Sequence, residues 1–348
     1  SPFGRQPARW FYHGWHEVID PWCLREPREV TAADVNALAL PWLADRARAP
    51  FFLYLSYNNL YQAADTPLTA AELKHIETFA AHNDALTADD DAFARHLSLH
   101  AAFSARFHRM ATRAAARRLA DEYDARLRVV DDAVRDVVVT LRAADLLEST
   151  LLAIVSDHGV LFGECGCYGG HISAHYRCVR VPLIVRAPAL LPTGASCTAP
   201  CYTLDLASTV CQAFGVATPA GFVGRPLTRS AGAPPESRRG FVVCGHGQYT
   251  AQRTLLSGEW KLNRTWHAGF WDFPDTALYN IADDAREEHD RAGEEPGRVV
   301  DLLRKLRQWT EEYGAAHADP LARVACDEPP GFLHYGHELR ARVRRGEA

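Results

Sequence analysis

The chain has 348 residues, 47% hydrophobic and 23% charged, with a formal net charge of -5. That length suffices for one large α/β core and a smaller appended unit. The charge offers no basic footprint for nucleic acid, and no apolar run is long enough to span a bilayer. Lysine occurs only at Lys74, Lys261 and Lys305, which reads as an arginine bias of the composition and not as a phosphate-binding surface. Of the nine cysteines, Cys23, Cys211 and Cys244 sit in apolar surroundings and read as buried thiols. Cys197 and Cys201 flank a loop and can pair. No signal peptide opens the chain. Because it starts at Ser1 without an initiator Met, an upstream segment is expected to be missing; compartment and oligomeric state stay open.

In chain order, a helical pattern runs from Val30 to Arg48 through Val35, Leu38, Leu40 and Leu43. The continuous apolar run Phe51 to Tyr57 suits a strand buried on both faces. Residues 68–118 have helical spacing and predict two or three helices. Ala120 to Leu147 predicts a long amphipathic helix with Tyr123, Leu127, Val130, Val134, Val137, Val138 and Leu141 on its apolar side. Leu151-Leu152-Ala153-Ile154-Val155 reads as a buried strand that stops at Ser156-Asp157-His158-Gly159. A loop rich in Gly, Cys and His follows, and Val181-Pro182-Leu183-Ile184-Val185 is the next strand, with its proline at the start. Tyr202 to Phe214 is a helix closed by Gly215. Helix alternating with buried strand predicts a mostly parallel, doubly wound sheet.

Residues 231–237 are rich in Pro, Gly and Ser and read as a linker. Beyond it, Phe241 to Cys244, Arg253 to Leu256 and Trp260 to Arg264 predict short strands, the last after a turn at Ser257-Gly258-Glu259. A final amphipathic helix carries Val299, Leu302, Leu303, Leu306, Trp309 and Tyr313 on one face. The expected division is an α/β core over 1–230 and a small α+β subdomain over 238–348. Trp266, Phe270, Trp271 and Phe273 read as packing between the subdomain and its neighbour more than as a cleft lining.

In open α/β sheets the ligand lies at the carboxyl ends of the strands, where Asp157 and His158 fall. An aspartate supplies hard oxygen to a divalent cation and a histidine supplies imidazole nitrogen. Gly159 is expected to let the chain turn sharply away. An isolated Ser-Asp-His-Gly is equally readable as a helix cap beside a satisfied histidine.

The surroundings add more. Ser156-Asp157-His158-Gly159, then Phe162-Gly163-Glu164, His171 and Arg180-Val181-Pro182-Leu183-Ile184-Val185 together resemble the sulfatase family of the alkaline-phosphatase superfamily. Pro50 to Tyr57, Asp124 to Leu141, Leu204 to Thr209, Gly224-Arg225-Pro226-Leu227, Trp260-Lys261-Leu262 and Ala277 to Asn280 are similar to further family segments, in order. The resemblance implies a mixed, mostly parallel sheet flanked by helices, and a hydrolase of small-molecule or carbohydrate sulfate esters. It implies a divalent metal, calcium in most members, with magnesium or manganese as alternatives, and a formylglycine nucleophile. Asp157 and His158 fall on two of the metal ligands, while His171 and Tyr61 fall on substrate contacts.

The chain also departs from the family. It has no Cys/Ser-x-Pro-x-Arg nucleophile motif; Cys23-Leu24-Arg25-Glu26-Pro27-Arg28 has its proline displaced and stands in the wrong order. A first pair of metal-binding aspartates is absent. Tyr61 stands where a histidine is expected, Val160 where Glu is common, Cys165 where His is common, and His175-Tyr176 where Tyr-Glu is common. The chain as given is therefore expected to be inactive by itself. A non-catalytic binding protein on the same fold, and a phosphoester or phosphonate hydrolase, are the alternatives. A rival constellation, Cys165, Cys167, His171, His175 and Cys178, has the residue types for zinc, although Cys-x-Cys is not the usual knuckle spacing. Cys244-Gly245-His246 reads as a strand end without an assigned role.

Overall fold

The computed structural model describes residues 13–19, 30–45, 50–60, 68–76, 112–229, 239–269, 271–313, 319–326 and 345. Tyr61, the 231–237 linker, Cys23 to Arg28, Phe270 and most of 77–118 lie outside the described residues. The chain forms two compact units, Ser1–Asp90 with Arg106–Thr150, and Asp91–Ala105 with Leu151–Ala348.

In the first unit, α1 (Ala32–Ala44) starts where Thr31 accepts the Asp34 amide and the Asp34 carboxylate accepts the Thr31 amide at 2.8 Å. This reciprocal cap satisfies two orphan donors of the first turn. The same device, Thr69 with Glu72, opens the short α2 (Ala70–Leu73). The long helix α3 (Arg113–Ala143) begins earlier than its apolar stripe because the Thr112 hydroxyl accepts the Ala115 amide at 3.1 Å. Leu127, expected on the buried side, is exposed. Helical spacing puts Glu122 and Arg126 on the buried face instead. They are partnered there, Glu122 by Arg118 at 3.0 Å and Arg126 by Glu72 at 3.9 Å.

The expected strand over Phe51 to Tyr57 carries no ladder. Its burial still alternates: Phe51, Leu53 and Leu55 pack on Leu43, Val137, Leu141 and Leu147, while Phe52 and Tyr54 face outward. Period-two burial comes from the extended backbone itself, so it arises here without pairing.

The second unit begins with β1 (Leu152–Val155), followed by the short antiparallel pair β2 (Leu161–Phe162) and β3 (Tyr168–Gly170) and by one helical turn, α4 (Tyr176–Val179). Then comes β4 (Leu183–Arg186), with Pro182 just before it as expected. β1 and β4 pair antiparallel, from Leu152 opposite Arg186 to Val155 opposite Leu183. No parallel pair occurs among the described residues, so the parallel part expected of the sheet is not among them. The physical reason is in the connection. A parallel return needs a crossover, usually a helix, and the residues between β1 and β4 form a hairpin and one turn instead.

Helix α5 (Asp205–Ala213) ends with Gly215 at φ 65° and with the Val216 amide on the Cys211 carbonyl at 2.8 Å, a left-handed cap. Its first residue ties the unit together. The Asp205 carboxylate accepts the amides of Tyr202 and Arg225 at 2.8 and 2.7 Å and forms a two-pronged pair with Arg239. A side chain at Gly224 would meet the Leu204 carbonyl at 2.2 Å, so the two segments approach closely only because residue 224 has none. Tyr202 lies under the Arg239 guanidinium, and its hydroxyl accepts the Val243 amide at 2.6 Å.

The rest is an antiparallel sheet in the order β5 (Val242–His246), β6 (Ala251–Ser257), β7 (Trp260–His267), β8 (Thr276–Asn280). The β6–β7 turn falls at Gly258, φ 59°, as expected. Helix α6 (Pro296–Tyr313) lays Leu302 and Leu306 on Val243, Leu255, Leu262 and Leu278, and α7 (Pro320–Cys326) follows. Trp271 is buried against Leu161, Cys167, Ile172 and Cys178, with Phe273 beside it. These two aromatics pack, as read from the sequence.

Candidate functional site

The backbone leaving β1 is fixed before any side chain matters. The Gly159 amide donates to the Cys178 carbonyl at 2.9 Å, and a Cβ at 159 would lie 1.8 Å from the Arg177 carbonyl oxygen. Glycine is therefore required here by close backbone approach, not by the sharp turn expected from the sequence. The contact clamps the end of β1 to α4.

On that clamp sit Asp157 and His158. The Asp157 side chain is 87% exposed, and one of its oxygens accepts the His158 amide at 2.9 Å. His158 Nδ1 lies 2.9 Å from the Gly159 carbonyl. A carbonyl can only accept, so Nδ1 carries a proton, and in the neutral ring the lone pair is then on Nε2. That Nε2 lies 3.8 Å from the second Asp157 oxygen. The two side chains thus present a carboxylate oxygen and an imidazole nitrogen side by side, as two ligands of one divalent cation would. The donor set fits such a cation as half a site. Among the described residues no group of three or more His, Cys, Asp or Glu side chains is placed to hold a metal.

His171 follows β3, and its ring centroid lies 3.9 Å from that of His158. Burial, with His158 close by, holds its pKa below the ordinary histidine value. On its other side His171 meets His246 and Tyr249, each at 6.3 Å between ring centroids. Of the residues singled out from the sequence, the fold brings Asp157, His158 and His171 together. His246, the last residue of β5, joins them from a strand end that carried no assigned role. Burial pushes its pKa down to about 4.

The zinc constellation is not assembled. His175 Nε2 donates to the Arg286 carbonyl at 3.0 Å, and its Nδ1 accepts the Arg177 amide at 3.0 Å, so both ring nitrogens are occupied. Cys167 and Cys178 belong to the apolar cluster around Trp271. Burial pushes the Cys178 thiol up to about 12 and the Cys167 thiol well above its ordinary value. Cys197 and Cys201 are both exposed and are not joined by a disulfide.

What sequence reasoning missed is the support beneath the loop. Lys261, on β7, is fully buried. Its ammonium donates to Glu287 at 2.8 Å and to Asn263 at 2.6 Å. Glu287 in turn accepts the Tyr176 amide at 2.5 Å and Asn263 Nδ2 at 3.2 Å, and lies 4.0 Å from His175. It holds φ 56°, a conformation that favours glycine, so its side chain is what the position requires. Glu164 accepts the Phe162 amide at 2.8 Å and lies between Arg177 and Arg286 at 3.9 and 3.7 Å. The one available signal was a lysine within an apolar strand of an arginine-rich chain.

A carboxylate and an imidazole side by side at the end of a strand, with a second imidazole next to them, are groups that a metal-assisted hydrolase of charged esters can use. The sulfatase family model matches residues 5–216, more than half of the chain, and the chain belongs to the sulfatase family. An N-acetylglucosamine-6-O-sulfatase of Bacteroides thetaiotaomicron is 23% identical over 203 residues, 55% of this chain and 36% of that relative. The chain thus spans about a third of that relative's length. Among solved structures, one in complex with its substrate D-glucosamine-2-N,6-O-disulfate superposes with a TM-score of 0.53 at 21% identity, covering 60% of this chain and 43% of that one. A phosphonate monoester hydrolase from Silicibacter pomeroyi gives 0.58 at 20% identity, covering 81% and 60%. The fold is therefore the alkaline-phosphatase-like α/β fold of the sulfatases.

Proposed function

We propose that this chain supplies the metal-and-anion half of the active site of a carbohydrate sulfate-ester hydrolase. The observation that carries the reading is the meeting of Asp157, His158 and His171 at the end of β1, with Asp157 3.8 Å from His158 and the two imidazoles 3.9 Å apart. Family membership supports the reaction class. The sulfated glucosamines named for the relative and for the solved complex support the substrate class.

In this reading Asp157 and His158 hold a divalent cation, with calcium best suited to a carboxylate that is open to further ligands and magnesium or manganese as alternatives. When bound, the cation supplies Lewis-acid polarisation of a sulfate oxygen. The His158 amide orients the Asp157 carboxylate, and the Gly159 carbonyl fixes the His158 tautomer. His171 donates a hydrogen bond to an equatorial sulfate oxygen, and Tyr61 contacts the substrate. The attacking oxygen belongs to a formylglycine, for which these 348 residues carry no Cys/Ser-x-Pro-x-Arg motif. The chain alone is accordingly expected to show no turnover of an aryl sulfate above a metal-only blank.

Two variants test the assignment in the product of the complete reading frame. Asp157→Asn is expected to weaken metal binding, measured by calorimetry, by at least the roughly 10- to 100-fold that loss of a ligand's hydrogen-bond partner costs. His171→Ala is expected to leave metal affinity near wild type and to raise KM or lower kcat, because it contacts the anion and not the cation. Equal effects of both variants on metal affinity would sink the division of roles. The same pair assayed on a phosphonate monoester distinguishes the two anion classes.

A further inference from the structure

His246 closes β5 and Tyr249 lies in the turn that leads to β6. Their rings are nearly parallel, 18° apart in plane and 6.1 Å between centroids, and each lies 6.3 Å from His171. The Tyr249 side chain packs against the cluster of Leu161, Cys167, Ile172, Cys178 and Trp271. Its backbone is held as well: a Cβ at Gly269 would lie 2.1 Å from the Tyr249 carbonyl oxygen, so the two segments touch through the missing side chain. The tyrosine is a fixed platform on a packed base.

Thr250 occupies His246 Nδ1, with its carbonyl at 3.3 Å, its amide at 3.4 Å and its hydroxyl at 3.1 Å. The other ring nitrogen, Nε2, is buried and has no hydrogen-bond partner among the described residues. Native structures seldom leave a buried polar nitrogen unanswered, and one left so beside a site points to a ligand atom. Arg253, whose guanidinium would lie 2.5 Å from a Gly245 side chain, is committed to Asp319 at 2.9 and 3.1 Å. The turn offers a tyrosine ring and an unanswered imidazole nitrogen, which suit an uncharged polyhydroxylated ring better than a second anion.

We infer that the β5–β6 turn is the subsite for the alcohol half of the ester. The Tyr249 ring takes the apolar face of a pyranose, and His246 Nε2 hydrogen-bonds one of its hydroxyls. The inference rests on the hydrolase reading above. A sulfate bound against Asp157, His158 and His171 has His246 and Tyr249 within reach of its ester substituent, each 6.3 Å from His171.

The test combines binding and turnover. In saturation-transfer NMR with N-acetylglucosamine 6-sulfate, the sugar-ring protons are expected to take up saturation from the wild-type protein. Tyr249→Leu, which keeps the bulk against the core but has no flat face, is expected to lose most of it. Gln248→Ala, at an exposed turn position, is expected to keep it. In turnover by the product of the complete reading frame, Tyr249→Leu and His246→Ala are expected to lower kcat/KM for the sulfated sugar by about tenfold and to leave methyl sulfate unchanged. Sugar protons that take up no saturation, or that keep it in Tyr249→Leu, overturn the subsite, as does an equal loss on both substrates. Absence of hydrolysis with Tyr249-dependent saturation retained refutes the enzyme reading and upholds the subsite.

Discussion

Gly159→Ala is expected to destabilise the protein by about 3 kcal/mol or more, at the top of the range for forcing a methyl group into a packed site. The new Cβ would sit 1.8 Å from the Arg177 carbonyl oxygen, a backbone atom that cannot rotate away, and would have to retreat beyond 3.0 Å. That retreat breaks the 2.9 Å bond from the Gly159 amide to Cys178 and shifts the carbonyl that sets the His158 tautomer. Loss of metal affinity should therefore accompany loss of stability. Gly258→Ala is the control. Its φ is 59°, but nothing lies within 4 Å of the added Cβ, so only the left-handed backbone cost of roughly 1–2 kcal/mol applies. Urea unfolding of both variants checks the contrast; equal losses would mean that the close approach at 159 is not what demands glycine.

Glu287→Ala is expected to cost about 3–5 kcal/mol, the penalty for leaving one partner of a buried ion pair alone. It strands the fully buried Lys261 ammonium and removes the acceptor of the Tyr176 amide. The paired change Lys261→Met with Glu287→Gln removes both charges and keeps an amide oxygen for Tyr176. It is expected to recover most of the loss, since a buried pair contributes little net stability over well-packed neutral groups. Denaturant unfolding of the single and double variants decides this; a single variant within about 1 kcal/mol of wild type would show that the network is not what holds the loop.

The contrast between these two positions shows what a sequence can reveal. Asp157, His158 and His171 were legible because each has a chemistry and falls at a recognisable spacing from an apolar strand. The C-terminal strands and α6 were legible because their hydrophobic periods are clean. The role of Gly159 was not, since close approach by Arg177 depends on where α4 packs. Glu287 was invisible for a related reason: it lies 26 residues beyond Lys261 in the chain, and only the fold makes them partners. The antiparallel return of β4 was hidden because a hairpin within a connection leaves no periodic signature. Phe51 to Tyr57 had a strand's alternation, yet alternation reports an extended backbone and not its pairing. His246 was placed correctly as a strand end, but its neighbours come from a loop some 75 residues earlier.

The loop that carries His171 hangs on the sheet by its own amides: Ala174 donates to Gln252 at 3.0 Å, Tyr176 to Glu287, and the Thr250 hydroxyl reaches back to the Ile172 carbonyl at 3.1 Å. Amide protons at 174 and 176 should then exchange with solvent only when β6 and β7 let go, at rates typical of a sheet interior and not of a surface connection. A segment protected in that way has no independent opening motion. It cannot serve as a lid, and a ligand reaching His171 meets this loop already in its final form.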